Sequence, residues 1–245
     1  MKREYQVIVN QKPYPVIFSD EPETLLAAKA GKTAVIGRWD SRNPDRLPFD
    51  IPYLAEEESD ITQTVLERVV RRMLGLPWTI AETGRLVLRE FVPKDWPQVS
   101  RMGESLSDEC PAAFSQQTAF LAYIQGQYAF YEYGIWAVEE KQQGNLIGAC
   151  GIWDGACTGE SVETETGYWI SPPFQRQGYG REALKAVLDY ACLLGKFPIY
   201  ADIREGNLPS RNLAVSLGFV CLAPDCPDRG QSGARKWRYR YVPCS

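Results

Sequence analysis

Six residues, Gln175-Arg176-Gln177-Gly178-Tyr179-Gly180, have the types and spacing best suited to binding chemistry. They follow the strand-like run Tyr168-Trp169-Ile170-Ser171 and lead into Arg181-Glu182-Ala183-Leu184, which reads as the first turn of a helix. A tight glycine loop between a strand and a helix turns several backbone N–H groups toward one point at the helix N-terminus. Such a point receives a phosphate or pyrophosphate. Glycine is needed there because a Cβ would block the turn and the close approach of a ligand. A P-loop would end in Gly-Lys-Ser/Thr, whereas Gly180 is followed by Arg181-Glu182. A dinucleotide fingerprint needs three spaced glycines, and two fit here. Alone, the six residues also describe a strand-to-helix turn that binds nothing. Their flanks decide between the two readings.

The elements around the loop follow from periodicity. Arg85 to Phe91 predicts a strand, and a short helix follows near Lys94 to Met102. A longer helix is expected between Ala112 and Tyr131. Gly134 to Glu139 and Asn145 to Trp153 form a hairpin around Gln142-Gln143-Gly144. Glu163 to Ser171 is the strand before the loop. Gly178 to Leu194 is amphipathic, with Leu184, Val187, Leu188 and Ala191 on one face and Gly195 as its stop. A strand at Phe197 to Ile203, a short helix at Ser210 to Ser216, and strands at Phe219 to Leu222 and Trp237 to Val242 complete the pattern.

Residues 1 to about 78 read as a separate small α/β unit with no recognisable chemistry. Tyr5 to Val9 and Tyr14 to Phe18 pair as a hairpin, Glu21 to Ala30 is helical, and Thr33 to Gly37 is a buried-type strand. Asn43-Pro44-Asp45 marks a loop, and a helix runs from Asp60, its cap, to Leu74.

At 245 residues and 44% hydrophobic content the chain can bury a real core. A net charge of −4 argues against a general nucleic-acid binder. Met1-Lys2-Arg3-Glu4 opens no apolar run, so no signal peptide is expected, and no stretch is long enough to predict a membrane span. The seven cysteines, Cys110, Cys150, Cys157, Cys192, Cys221, Cys226 and Cys244, match no zinc spacing. The chain has no histidine, which excludes every His-containing metal site or catalytic dyad. Cys221 and Cys226 are expected to be reduced, in a cytoplasmic setting.

Three segments, in order, resemble the GNAT superfamily of N-acetyltransferases, and within it the branch of ribosomal-protein N-terminal acetyltransferases. The first is Gly84 to Phe91 followed by Asp95. The second is Glu165-Thr166-Gly167-Tyr168-Trp169-Ile170-Ser171 running into Gln175-x-x-Gly178-x-Gly180 and Glu182-Ala183. The third is Asn207-x-x-Ser210 followed by Leu217-Gly218-Phe219. The resemblance spans roughly residues 79 to 245. It implies an α+β (mixed α/β) GNAT fold with a central, mostly antiparallel, splayed sheet flanked by helices, here preceded by the 1–78 unit.

The resemblance implies acetyl-CoA as donor, a primary amine as acceptor, direct transfer and no metal. It places the donor pyrophosphate on loop 175–180, with Arg176 and Arg181 either adding charge-assisted contacts or standing as plain surface charge. Tyr168, Trp169 and Ile170 lie on the strand that splays from its neighbour, and a freed backbone N–H near Ile170 would meet the thioester carbonyl. Glu165 aligns with a general-base position, with Glu163 two residues away on the same face as the fallback. An ordinary solvent-facing strand carboxylate is the plain alternative for Glu165. The resemblance puts Asn207 on the pantetheine arm and Ser210 by the sulfur, as hydrogen-bond donor or acid to the leaving thiolate. Ser210 could instead be an N-cap only. No tyrosine follows within that helix, which strengthens Ser210. A cysteine nucleophile has no histidine to activate it.

The acceptor is expected to be a peptide or protein N-terminus or a small metabolite. The aromatics Phe114, Phe120, Tyr123, Tyr128, Phe130, Tyr131 and Tyr133 are mostly core, with one or two expected in a pocket. Asp108, Glu109 and Asp154 are candidates to attract a cationic amine, or are solvated charge. Two other readings stand beside the enzyme: a non-catalytic acyl-CoA-binding or sensing module, and an interaction protein or homodimer led by the N-terminal unit.

Overall fold

The computed structural model describes residues 1–43, 46–48, 50–106, 111–158, 161–223 and 236–243. Pro44, Asp45, Asp108, Glu109, Cys110, Cys226 and Cys244 lie outside the described residues, as does the side chain of Cys157. The chain divides into two compact units, one of residues 1–78 with 92–94 and 121–132, the other of 79–91, 95–120 and 133–245.

In the first unit, β1 (Lys2–Val9) and β2 (Lys12–Ser19) form the expected antiparallel hairpin. Its two-residue turn is Asn10-Gln11, both at positive φ, 49° and 64°. The helix α1 (Pro22–Ala30) follows, then β3 (Ala34–Arg38) and the short β4 (Leu54–Ala55), each parallel to its predecessor in the sheet. Alternation sorts the core. Val16 and Phe18 pack with Ala34 and Ile36 beneath Leu66, Val69 and Val70 of α2 (Gln63–Met73). Ile17 and Val35 point the other way, onto Leu25 of α1. The expected cap of α2 was Asp60, but Thr62 takes the role, its side chain accepting from the Val65 N–H at 3.3 Å. Asp60 instead closes a preceding 3-10 turn by accepting from the Glu57 N–H at 2.9 Å.

The second unit opens one strand earlier than expected, with β5 (Thr79–Glu82) antiparallel to β6 (Leu86–Arg89). A 3-10 turn at Pro93–Asp95 leads into α3 (Trp96–Leu106). Arg89 and Asp95 form a buried two-pronged ion pair at 2.8 and 3.1 Å, and the Arg89 Nε donates to Glu139 at 2.8 Å. That pairing gives Asp95, six residues after Arg89, a structural part: it ties the strand to the start of the helix. The expected long helix divides into a 3-10 turn at Ala112–Phe114 and α4 (Gln117–Tyr131), whose residues from 121 on belong to the first unit. The remaining elements are β7 (Ile135–Glu140), β8 (Leu146–Thr158), β9 (Ser161–Ile170), α5 (Tyr179–Leu193), β10 (Ile199–Arg204), α6 (Leu208–Ser216), β11 (Phe219–Ala223) and β12 (Lys236–Tyr241).

The eight strands of this unit lie in the order β11-β12-β10-β9-β8-β7-β6-β5. Every pairing is antiparallel except that of β9 with β10. The mostly antiparallel sheet and flanking helices agree with the fold expected from the sequence. The α5 helix buries Ala183, Leu184, Val187, Leu188 and Ala191, the stripe its spacing predicts, against β8 and β9.

Candidate active site

Strand β9 organises the site because successive side chains point to opposite faces. Glu163, Glu165 and Trp169 share one face. Thr164, Thr166, Tyr168 and Ile170 share the other, and all of these but Tyr168 are fully buried. On its β8 side the strand is paired through Gly148↔Ile170. On its β10 side the pairing consists only of Ile199↔Thr164 and Tyr200↔Glu165. The two parallel strands therefore part directly after Glu165, and the splay expected from the resemblance is present.

The Ser171 N–H donates to the Ile147 carbonyl of β8 at 2.7 Å. Alternation then turns the N–H groups of Ile170 and Tyr168 away from β8, toward the side where β10 has departed. The Ile170 carbonyl, on that same side, accepts from the Gln175 side chain at 2.8 Å.

Loop 175–180 is built by its own backbone and by a brace from outside. Arg176 sits at φ 60°, and Gly178 caps α5 in the left-handed region at φ 84°. The first intrahelical bond runs from Glu182 N–H to Gly178 O at 3.0 Å. Helix geometry thus leaves the N–H groups of Tyr179, Gly180 and Arg181 without intrahelical acceptors, at the positive end of the helix dipole. Gln175, Arg176, Gln177, Gly178 and Arg181 are exposed. Gln177 donates to the Pro173 carbonyl at 2.9 Å.

Arg85, which sequence reasoning did not connect to the loop, is its brace. It donates to the Gln177 carbonyl at 3.0 Å and to Glu182 Oε2 at 2.7 Å, and its guanidinium lies 4.3 Å above the Tyr179 ring. Thr83 and the Arg85 N–H also donate to Glu182. Burial of Glu182 opposes its ionisation, yet these bonds together hold its carboxyl below the usual range. A carboxylate in the first turn would repel an anion. Here it is matched by Arg85, so the end of α5 is not left net negative.

Gly180 is glycine for a reason the sequence did not reveal. A Cβ there would lie 2.7 Å from Cε2 of the Tyr168 ring, so the close approach is to a side chain of β9. The Tyr168 hydroxyl in turn lies 3.2 Å from Ser210 Oγ. Burial raises the Tyr168 hydroxyl above its ordinary pKa, and the bond to Ser210 only partly offsets this.

Helix α6 begins at Leu208, two residues before the expected start, and its cap is Asn207. The Asn207 side-chain oxygen accepts from the Ser210 N–H at 3.2 Å. Ser210 is therefore not the cap of this helix, and its hydroxyl stands next to that of Tyr168.

The two residues expected to be catalytic are not neighbours. Tyr168 and Ser210 meet on one face of β9, and Glu165 points from the other. The Glu165 carboxylate accepts from Trp153 Nε1 at 3.2 Å, and Arg238 Nη1 stands 4.0 Å from it. Arg238, also unforeseen, is buried on β12, ion-paired to the fallback carboxylate Glu163 and to Asp202 at 3.3 Å. Its guanidinium lies 4.4 Å over the Tyr200 ring. Trp169, on the Glu165 face, faces Ala149 of β8 across the ladder.

Asp154 is exposed and accepts from the Tyr133 hydroxyl at 2.5 Å. Phe114, Phe120, Tyr128 and Tyr133 are buried, whereas Phe130 is 76% exposed. Phe91 and Trp96 pack on Phe120. Cys150 is buried, with its thiol pushed up by desolvation into an unreactive neutral form, and Cys192 and Cys221 are free. A groove of about 710 Å³ runs beside α5, lined by Ile80, Glu82, Arg85, Lys185, Asp189 and Leu193 among others. It touches the loop at Gly178 and does not include Glu165, Tyr168 or Ser210.

These features agree with what the chain is similar to. The 28%-identical uncharacterized N-acetyltransferase YoaA of Bacillus subtilis (strain 168) aligns over 151 residues, 57% of this chain and 82% of that protein. The uncharacterized protein YkkB of the same organism is 33% identical over 90 residues, 36% of this chain. The match spans about half of YkkB's length, 52%. Among solved structures, the ribosomal-protein-S5-alanine acetyltransferase of Vibrio fischeri superposes with a TM-score of 0.52 at 16% identity, covering 67% of this chain and 94% of that one. The yncA protein of Salmonella typhimurium, solved with its cofactor acetyl-CoA, gives 0.52 at 21% identity over 63% and 90%. The family model described as "Acetyltransferase (GNAT) domain" matches residues 85–220, which take in the Arg85 brace, the parted strand, the glycine loop and the Asn207–Ser210 turn. The chain belongs to the GNAT acetyltransferase family.

Proposed function

We propose that this protein transfers the acetyl group of acetyl-CoA directly to a primary amine of a peptide or protein N-terminus or of a small metabolite. The observation that carries the reading is the parting of β9 from β10 immediately after Glu165. At that gap a thioester lying against β9 faces the N–H groups of Tyr168 and Ile170, which polarise its carbonyl. The pyrophosphate sits on the N–H groups of Tyr179, Gly180 and Arg181, with Arg176 and Arg181 adding charge, Gln175, Gln177 and Gly178 shaping the turn, and Asn207 contacting the pantetheine arm. Thiol chemistry belongs to the Tyr168–Ser210 face. Amine chemistry belongs to the Glu165 face, and the gap is where the two meet.

In this scheme Glu165 takes a proton from the incoming ammonium, directly or through water, and the neutral amine attacks the carbonyl carbon. The tetrahedral intermediate then expels the thiolate, which Ser210 protonates. Glu163 is a poorer candidate because its carboxylate is engaged by Arg238. Arg238 also stands beside Glu165 and keeps that carboxylate in place. The 1–78 unit is accessory to this chemistry, and the setting is cytoplasmic.

The test is Glu165→Gln, read by CoA release and by acetyl-CoA calorimetry. Turnover should fall within the range of about 10²–10⁴-fold typical for loss of a general base, with acetyl-CoA affinity preserved, because the base acts on the amine. Unaltered turnover would remove Glu165 from the mechanism.

A further inference from the structure

We infer that Tyr168 is a positioning residue for leaving-group protonation, acting through Ser210 as the second member of a hydroxyl pair. The inference rests on the reading of Ser210 as the group that protonates the thiolate.

Serine is a poor acid by itself, and its hydroxyl rotates freely unless something fixes it. Tyr168 fixes it. Its hydroxyl is 3.2 Å from Ser210 Oγ, and its ring is held from behind by the bare backbone of Gly180 on α5. The Ser210 backbone is fixed separately by the Asn207 cap, so both ends of the pair are anchored. The groups facing Tyr168 do not compete for its proton. Across the ladder stands Cys150, buried and held as the neutral thiol, and the α5 residue against the ring is Gly180. Burial likewise favours the neutral phenol, which is the form that can donate.

With Tyr168 donating to Ser210 Oγ, the hydrogen of Ser210 is left to point elsewhere, toward the sulfur. When the C–S bond breaks, its electron pair goes to sulfur and the Ser210 proton follows. Tyr168 keeps its proton, and its hydrogen bond to Ser210 Oγ offsets the negative charge that develops there. Solvent, which has received the protons that the amine lost, returns one to Ser210. Starting from the ammonium, the net change is one acetyl group from sulfur to nitrogen, one proton from nitrogen to sulfur and one proton released to solvent. Helix α6 itself carries no tyrosine, and a tyrosine of the strand stands beside its Ser210 hydroxyl.

The experiment compares wild type, Tyr168→Phe, Ser210→Ala and the double variant on acetyl-CoA and on S-phenyl thioacetate, with one accepted amine. Phenylalanine keeps the ring against Gly180, and thermal midpoints check the fold. An arylthiol has a low pKa and leaves with little need of an acid. On acetyl-CoA, kcat should drop about 10-fold for Tyr168→Phe and about 100-fold for Ser210→Ala, with KM for the donor little changed. The double variant should be no slower than Ser210→Ala, because the two hydroxyls act as one unit. On the phenyl thioester these deficits should shrink to less than about 3-fold, since the step they serve is no longer limiting.

Equal deficits on both donors would show that Tyr168 only holds the packing, and would overturn the inference. Full activity of Tyr168→Phe on acetyl-CoA with a slow Ser210→Ala would also overturn it, while leaving the Ser210 reading intact. Full activity of Ser210→Ala would overturn that reading and the inference with it.

Discussion

The substitution Gly180→Ala separates two explanations of the second loop glycine. One is room for the ligand, and the other is room for the Tyr168 ring. The added Cβ would stand 2.7 Å from Cε2, 3.1 Å from Cδ2 and 3.5 Å from Cζ of that ring. Ordinary contact begins at 3.4 Å, so the ring must retreat by at least 3.4 − 2.7 = 0.7 Å. The Tyr168–Ser210 hydroxyl distance is already 3.2 Å, and the same displacement along it gives 3.2 + 0.7 = 3.9 Å, beyond hydrogen-bond reach. Overpacking of this kind costs about 1–3 kcal/mol, against which alanine recovers up to about 1 kcal/mol of helix propensity. The net loss of about 0–3 kcal/mol lowers Tm by no more than about 12 °C for a unit of this size. Gly180 has ordinary helical backbone geometry, so alanine leaves the loop N–H groups in place. The variant should therefore bind acetyl-CoA, by calorimetry, within about 3-fold of wild type, while its turnover falls about 10-fold through the lost hydroxyl pair. A loss of acetyl-CoA affinity as large as the loss of turnover would overturn the ring-contact explanation and return Gly180 to a ligand-contact role. Unchanged turnover would show that the ring contact is unimportant.

Three further outcomes are expected. Gly178→Asp should abolish the thermal protection given by acetyl-CoA, because it puts a Cβ at φ 84° and a negative charge at the proposed pyrophosphate site, and persistent protection would move that site elsewhere. Asp95→Ala leaves the buried Arg89 with the Glu139 carboxylate and the Glu90 carbonyl and should cost about 3 kcal/mol in urea unfolding, near the low end for a broken buried pair; a loss below about 1 kcal/mol would contradict the buried-pair account. Glu182 has its folded pKa below its ordinary value of 4.5, so it adds stability above that pH, and the contribution is lost as pH falls through the folded value. The Tm gap between wild type and Glu182→Gln should accordingly be wide at pH 7 and close in acid, and a pH-independent gap would count against the carboxylate bonds described.

The sequence was most legible where chemistry is local. The glycine loop, the stripe of α5 and the alternation of β9 each reside in a few consecutive residues, and each stands where the pattern puts it. Even the opposed faces of Glu165 and Tyr168 follow from a period of two. The departures come from competition among near-equal local choices. Asp60 and Thr62 can both cap α2, as Asn207 and Ser210 can both cap α6, and the outcome depends on which side chain reaches the right N–H. Strand β5 was missed because Thr79 to Glu82 is a short edge strand with little alternation to read. What the sequence could not reveal is which distant residues meet. Arg85 braces a loop about ninety residues away, at Gln177, and Arg238 joins Glu163, Glu165 and Asp202 from across two strands. These contacts are set by sheet order, which no single strand encodes.

Direct acetyl transfer from acetyl-CoA to a primary amine is tested by following thiol release and product mass while the protein is incubated with acetyl-CoA and, in turn, peptides with free N-termini and small primary amines. Intact-protein mass is recorded in parallel with acetyl-CoA alone. Amine-dependent CoA release, an acceptor heavier by one acetyl group and a protein of unchanged mass are the predicted result. Binding of acetyl-CoA with no release on any amine, or an acetyl group retained on the protein before the amine is added, would contradict it.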